Sequence, residues 1–260
     1  MRGRVVKLSI ERDLVADLMR FAVRVPTCTE ALRLDVAAVA AARAQSAVRP
    51  RWIAIFMKAF AIVAQDVPEL RRVFLEAPWP RFYEYPTSVA LIYVKRELDG
   101  EAFHISYKIK DPASMTLREI NERITEATER PLNEISDFRR VYLFGRFPSL
   151  LRRFGAWLAY NNGRQRPKHF GTFAVTTPPE TRIAGWLTPW TSRLSYGRLE
   201  ADGTVMVNVS VDHRVVDGPT GSEILTRLQS VLSTAILTEL RADVGVKTES
   251  RAKALNTVQG

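Results

Sequence analysis

Residues 207–225, VNVSVDHRVVDGPTGSEIL, set a histidine, an arginine and an aspartate between an alternating strand and a helix. Val205, Val207, Val209 and Val211 alternate with Met206, Asn208, Ser210 and Asp212, the period of a half-buried strand that ends at His213. An imidazole at a strand end, followed by a turn at Gly218 and Pro219, can stand in a cleft and take a proton near neutral pH. The same ring can also be a packed side chain with both nitrogens satisfied. Of the other two histidines, His104 reads as structural or surface and His169 as structural.

Helices and strands must alternate to hold that segment in place. From Glu11 to about Arg24 the apolar residues Leu14, Val15, Leu18, Met19 and Phe21 fall at helical spacing, and Pro26 ends the run. Residues 28–36 read as a strand leading into the alanine-rich helix VAAVAAARAQ. RWIAIFMKAFAIVAQDVPEL is a helix apolar on more than one side, and therefore buried, with Pro68 at its end. SVALIYVKREL and EAFHISYKI form a hairpin around Asp99–Gly100, and SMTLREINERITEATER opens on a Ser/Thr cap signal. Asp202–Gly203 is the turn of a second hairpin, and a last helix runs from about Thr220 to Leu240. The mixture with antiparallel pairs predicts an α/β or α+β chain built on one large sheet.

Composition narrows the function classes. The single cysteine, Cys28, excludes an intramolecular disulfide framework and a thiolate metal cluster, and fits a reducing, cytoplasmic compartment. The N-terminus lacks the pattern of a signal peptide, and no uncharged apolar run reaches the roughly 20 residues of a membrane span. The formal charge of +10 is concentrated at residues 138–168, where Arg139, Arg140, Arg146, Arg152, Arg153, Arg164, Arg166 and Lys168 meet no acidic residue. Such a bias fits a solvated surface, nucleic acid, anionic lipid or a phosphate-bearing substrate. No zinc finger or RNA-recognition signature accompanies it, so nucleic acid is not an expected partner.

The string DHRVVDG resembles the His-Arg-x-x-Asp-Gly signature of the dihydrolipoamide acyltransferase catalytic domain, seen in chloramphenicol acetyltransferases as His-x-x-x-Asp-Gly. KLSIERDLVADLM, VPTCTEALRLDVAAVAAAR, VPEL, GTFAVTT and LTPWTSRLSYGRLE resemble further family segments in the same order, over about residues 5 to 240. The resemblance implies a two-layer sandwich with a mixed sheet covered by helices. It implies a catalytic domain over 1–240 with an insertion at about 138–168, followed by a polar tail at 241–260. It also implies transfer of an acyl group from acyl-coenzyme A, or from an acyl carrier thioester, to a thiol, hydroxyl or amine, with a short or fatty acyl chain. His213 would be the general base, its imidazole oriented by its own main-chain carbonyl. Asp217 would form a structural ion pair with Arg12, and Gly218 would permit a turn that a side chain would obstruct. Thr176, or Thr177 beside it, would donate a hydroxyl hydrogen bond to the oxyanion, although both also fit as ordinary strand threonines. Hydroxyl and histidine would come from different subunits of a homotrimer, and no metal is implied.

The chain departs from that pattern in three places. It carries no lipoyl-lysine hairpin and no Ala/Pro-rich linker, so no lipoyl group is expected on it. The family's stretch that shapes the coenzyme A channel is replaced by DGEAFHISYKI. Residues 138–170 have no counterpart in the lipoyl enzymes, and Leu150, Leu151, Phe154, Trp157 and Leu158 fall there at helical spacing beside Arg152 and Arg153. This helix would cover a hydrophobic flank with its arginines in water, rest on an anionic membrane, or dock an acyl carrier protein. A non-catalytic homo-oligomeric scaffold or a peripheral membrane protein on the same fold is the alternative to an enzyme.

Overall fold

The computed structural model describes residues 3–98, 101–177, 187 and 189–243. In chain order its strands are β1 (Thr27–Asp35), β2 (Arg72–Leu75), β3 (Arg81–Glu84), β4 (Val89–Leu98), β5 (Glu101–Lys110), β6 (Phe173–Thr176), β7 (Ser192–Leu199) and β8 (Thr204–Asp212). Six of them form a mixed sheet in the order β1–β8–β7–β6–β4–β5, and β2 pairs with β3 separately. The β4–β6 and β6–β7 pairs are parallel and the other pairs antiparallel. A mixed sheet covered by helices is the architecture expected from the sequence. The Asp99–Gly100 turn and the tail from residue 244 lie outside the described residues.

One face of the sheet holds the main core. Val205, Val207, Val209 and Val211 of β8 bury there with Leu34, Ile92, Val175 and Leu194. Four helices cover them, α2 (Ala37–Gln45), α3 (Trp52–Asp66), α4 (Leu117–Glu129) and, at the C-terminal end, the helix beginning at Gly218. Apolar residues surround α3, and Ala54, Ile55, Phe56, Met57, Ala59 and Phe60 are all buried, as a helix without a polar face must be. Thr116 and Glu119 close a capping box at the start of α4. The second hairpin turns at Gly203, whose φ is 79° and where a Cβ would stand 2.6 Å from that of Ala37. Only glycine fits both demands.

The opposite face is partly covered by α1 (Ile10–Ala22), α5 (Ser136–Gly145), α6 (Ser149–Asn161) and α7 (Arg166–Phe170). Leu91 and Ala174 point away from the main core and meet Leu18, Phe170 and Trp190 on this side.

Here one expectation is corrected. The apolar residues of α6 do not cover the domain: Leu150, Leu151 and Phe154 are 77%, 62% and 61% exposed, whereas Arg152 is 2% exposed. Asp17 causes the inversion. It is buried on α1, where its Oδ2 accepts from Arg152 Nε at 2.6 Å and its Oδ1 from Arg153 Nε at 2.9 Å. Arg152 Nη2 also lies 2.7 Å from Asp13 Oδ2, and Nη1 donates to the carbonyls of Gly145 and Phe147 at the end of α5. A buried carboxylate left without its cation costs about 3–5 kcal/mol. The ion cluster therefore sets the orientation of α6.

Burial raises the Asp17 carboxyl, and hydrogen bonds from Arg152 and Arg153 more than reverse this, holding it below the ordinary carboxylate value. A carboxyl with a lowered folded-state pKa stabilises fully above its unfolded value of about 3.9 and loses that contribution as pH falls through the folded value. Arg152→Ala should thus cost about 3–5 kcal/mol in urea denaturation at pH 7. The gap between variant and wild type should close as the pH drops below 4; a gap independent of pH would contradict the assignment.

Candidate functional site

The strand β8 delivers His213 to a turn that the backbone clamps on several sides. Asp212 N donates to Thr191 O at 2.8 Å, and His213 N donates to Pro26 O at 2.9 Å, which ties the turn to the entry of β1. Val215 N and Val216 N both donate to Asp212 O, at 2.9 and 3.0 Å. The Asp212 carboxylate takes the Arg214 guanidinium as a fork, at 2.9 Å from Nε and 2.7 Å from Nη2. That guanidinium lies 4.5 Å from the ring centre of Phe74. The arginine of the motif is thereby spent within the turn.

His213 Nδ1 lies 3.1 Å from Val216 O. A carbonyl oxygen can only accept, so Nδ1 carries the hydrogen and Nε2 presents its lone pair. The ring is solvent-exposed within one chain. The expectation that the histidine's own carbonyl orients it is corrected: the turn brings back the carbonyl three residues on, and that carbonyl takes the bond.

Two further expectations are corrected. Asp217 forms no ion pair with Arg12 among the described residues. It is the N-cap of α8 (Gly218–Val231), its Oδ1 accepting from Thr220 N at 3.0 Å. Hydrogen bonding by Thr220 holds its carboxyl below the ordinary value. The unpaired N–H groups at the start of α8 claim this carboxylate. Arg12 lies exposed on α1. Gly218 likewise permits nothing a side chain would obstruct within the chain, since a Cβ there meets no atom within 4 Å.

Thr176 is the last residue of β6, half-buried, on the sheet face shared with Ala174, and Thr177 beyond it is exposed. In register Thr176 stands opposite Ser195, and Ser195 opposite Asn208. His213 is five residues beyond Asn208, roughly 15 Å along the strands, and lies two strands across from β6, roughly 10 Å more. One chain therefore cannot bring this hydroxyl and this imidazole to one carbonyl.

His104 Nδ1 donates to Glu11 Oε1 at 3.0 Å, His169 lies on α7, and Cys28 is an exposed free thiol. The reading from sequence missed the Asp212–Arg214 fork and the Asp17 cluster. The latter had a signal: Asp17 interrupts the apolar stripe of Leu14, Leu18 and Phe21 on α1, where a charge must find a partner.

The capping role has a sharp consequence. Asp217→Asn keeps a side-chain oxygen for Thr220 N and should melt near the wild type, while Asp217→Ala should melt lower, in thermal unfolding followed by circular dichroism. Equal damage from both would restore a charge partner for Asp217.

No protein-family model and no curated protein matches the sequence. Solved structures do match. A probable dihydrolipoamide acetyltransferase from Listeria monocytogenes superimposes with a TM-score of 0.61 at 15% identity, covering 89% of this chain and 94% of the other. The dihydrolipoamide acetyltransferase of Azotobacter vinelandii, investigated for the roles of a serine, a histidine and an asparagine in its catalytic mechanism, gives 0.58 at 15% identity, covering 91% and 94%. A chloramphenicol acetyltransferase gives 0.52 at 13% identity, covering 86% and 98%. The chain therefore has the fold shared by chloramphenicol acetyltransferase and dihydrolipoamide acetyltransferase catalytic cores.

Proposed function

We propose that the protein is an acyltransferase in which His213 acts as general base in direct transfer from a thioester, without a covalent acyl-enzyme. The observation that carries the reading is the Nδ1-to-carbonyl bond of His213, which aims a basic Nε2 outward from a rigid turn. Nε2 takes the proton of an acceptor hydroxyl, thiol or amine as its lone pair attacks the thioester carbonyl. The oxyanion is held by the Thr176 hydroxyl of a neighbouring copy, with Thr177 as the adjacent alternative. Collapse of the tetrahedral intermediate breaks the carbon–sulfur bond, and the imidazolium returns the proton to the leaving thiolate. The donor is coenzyme A or an acyl carrier protein, and the assembly is a homotrimer. In the Azotobacter enzyme the histidine and asparagine named for catalysis are four residues apart, the spacing of His213 and Asp217 here. That likeness supports the role of the histidine.

With acyl-coenzyme A and a panel of acceptors, His213→Ala should lower thiol release by about 10²–10⁴-fold. Thr176→Val should lower it by about 10²–10³-fold. Refolding the two variants together should restore part of the activity, because some mixed interfaces hold an intact histidine facing an intact threonine. Unchanged turnover by His213→Ala would remove it from the mechanism, and no recovery on mixing would place both groups on one chain.

A second reading, compatible with the first, is peripheral attachment to membrane. The outward face of α6 favours it: Leu150, Leu151, Phe154 and Leu158 are exposed in a segment without acidic residues. No helix among the described residues is long and apolar enough to cross a bilayer. The protein should float with phosphatidylglycerol vesicles at low salt and less so with phosphatidylcholine. Leu151→Ser with Leu158→Ser should abolish flotation, and retention of full binding by that double variant would end this reading.

A further inference from the structure

Arg166 opens α7 and is 3% exposed, yet it makes no ion pair among the described residues. A guanidinium buried away from water and from any carboxylate is costly, so its place demands other partners. Its Nη1 donates to Phe74 O at 3.1 Å and its Nη2 to Pro189 O at 2.9 Å. Its central carbon lies 3.7 Å from the centre of the Tyr160 ring, a cation–π contact out of water. The Tyr160 hydroxyl donates to the same Pro189 oxygen at 2.9 Å, so both lone pairs of that carbonyl are occupied.

Phe74 on β2 and the Pro189–Thr191 stretch before β7 are distant in sequence, and Arg166 joins them. The same two segments wall the His213 turn. Thr191 O accepts from Asp212 N at 2.8 Å. The Phe74 ring lies under the Arg214 guanidinium, which is forked onto Asp212. Thr191 Oγ1 donates to Arg72 O at 2.6 Å, a second tie between the walls, and Trp190 Nε1 donates to Phe170 O at the end of α7. An apolar side chain could fill the space of Arg166, and a lysine could carry its charge. Only a guanidinium donates in two fixed directions at once.

We infer, on the reading of His213 as the base, that Arg166 is a positioning residue for its ring. Arg166 sets the spacing of the two walls. Through Thr191 and Arg214 it holds the turn that presents the Val216 carbonyl to Nδ1. A residue of the basic segment 138–168 thereby takes part in acyl transfer without touching the reactants.

Wild type is compared with Arg166→Met, which keeps much of the bulk and removes the fork. Arg164→Met, which removes an exposed charge two residues away, is the control. Long-range ¹H–¹⁵N spectra at alkaline pH, where imidazoles are neutral, report how the His213 ring hydrogen is shared between Nδ1 and Nε2. Arg166→Met should move part of the population from Nδ1–H to Nε2–H, and Arg164→Met should match the wild type. An equal shift in both variants would assign it to charge and overturn the inference. With acyl-coenzyme A and the same acceptors, kcat of Arg166→Met should fall by about 10²-fold, the cost of slightly misplacing a reacting group, with KM little changed. A loss confined to KM would make Arg166 a substrate contact and overturn its positioning role. A lower melting temperature with the wild-type ring spectrum and kcat would show a structural arginine only, and would overturn it as well. If Arg166→Met does not fold, Tyr160→Phe decides, because it removes the second donor to Pro189 O. It should shift the same tautomer ratio in the same sense, and an unchanged ratio would overturn the inference. A wild-type ring already carrying its hydrogen on Nε2 would remove the base itself and this role with it. A wild-type Nδ1–H ring left untouched by Arg166→Met would remove the role of Arg166 alone.

Discussion

One hydrogen bond, from His213 Nδ1 to the carbonyl of Val216, is the constraint on which the functional account rests. A base in a reaction must keep its lone pair on the side where the acceptor arrives, and an imidazole has two nitrogens that can trade roles. The turn after β8 removes that freedom. Its backbone is tied to β1 through Pro26, to the start of β7 through Thr191, and to itself through the Asp212 carbonyl. The Asp212 carboxylate adds the Arg214 fork. A carbonyl held this firmly orients the ring without a separate carboxylate, so Asp217 is released to cap α8.

The sheet imposes the second constraint. Its register separates Thr176 from His213 along the strands as well as across them. A hydroxyl that is to steady the oxyanion at His213 must belong to another copy of the chain. The exposed ring fits that arrangement, since one chain alone does not enclose it. In the proposed mechanism acyl transfer is a property of an assembly, with the turn supplying proton transfer and the end of β6 supplying charge stabilisation.

Much of the architecture was legible in the sequence because it follows from periodicity. Alternating valines announced β8, an apolar surface on every side announced the buried α3, and Asp202–Gly203 announced its turn. The motif DHRVVDG located the histidine at a strand end for the same reason. What could not be read was which polar groups would find one another. The partner of Asp217 is a backbone N–H three residues away rather than an arginine about two hundred residues away. The orientation of α6 was misjudged because apolar spacing alone points its leucines inward. Asp17, buried in the apolar stripe of α1, takes Arg152 and Arg153 as partners and so turns that side of α6 inward, leaving Leu150, Leu151 and Phe154 exposed.

The most direct test of the central claim is the tautomer of His213. Long-range ¹H–¹⁵N correlation spectra of uniformly labelled protein, recorded at alkaline pH where imidazoles are neutral and assigned against the spectrum of a His213→Gln variant, report which nitrogen carries the hydrogen. Protonation at Nδ1 with a bare Nε2 is the predicted result. A hydrogen resident on Nε2 would mean that the lone pair faces the Val216 carbonyl, and the ring could not serve as the base described here.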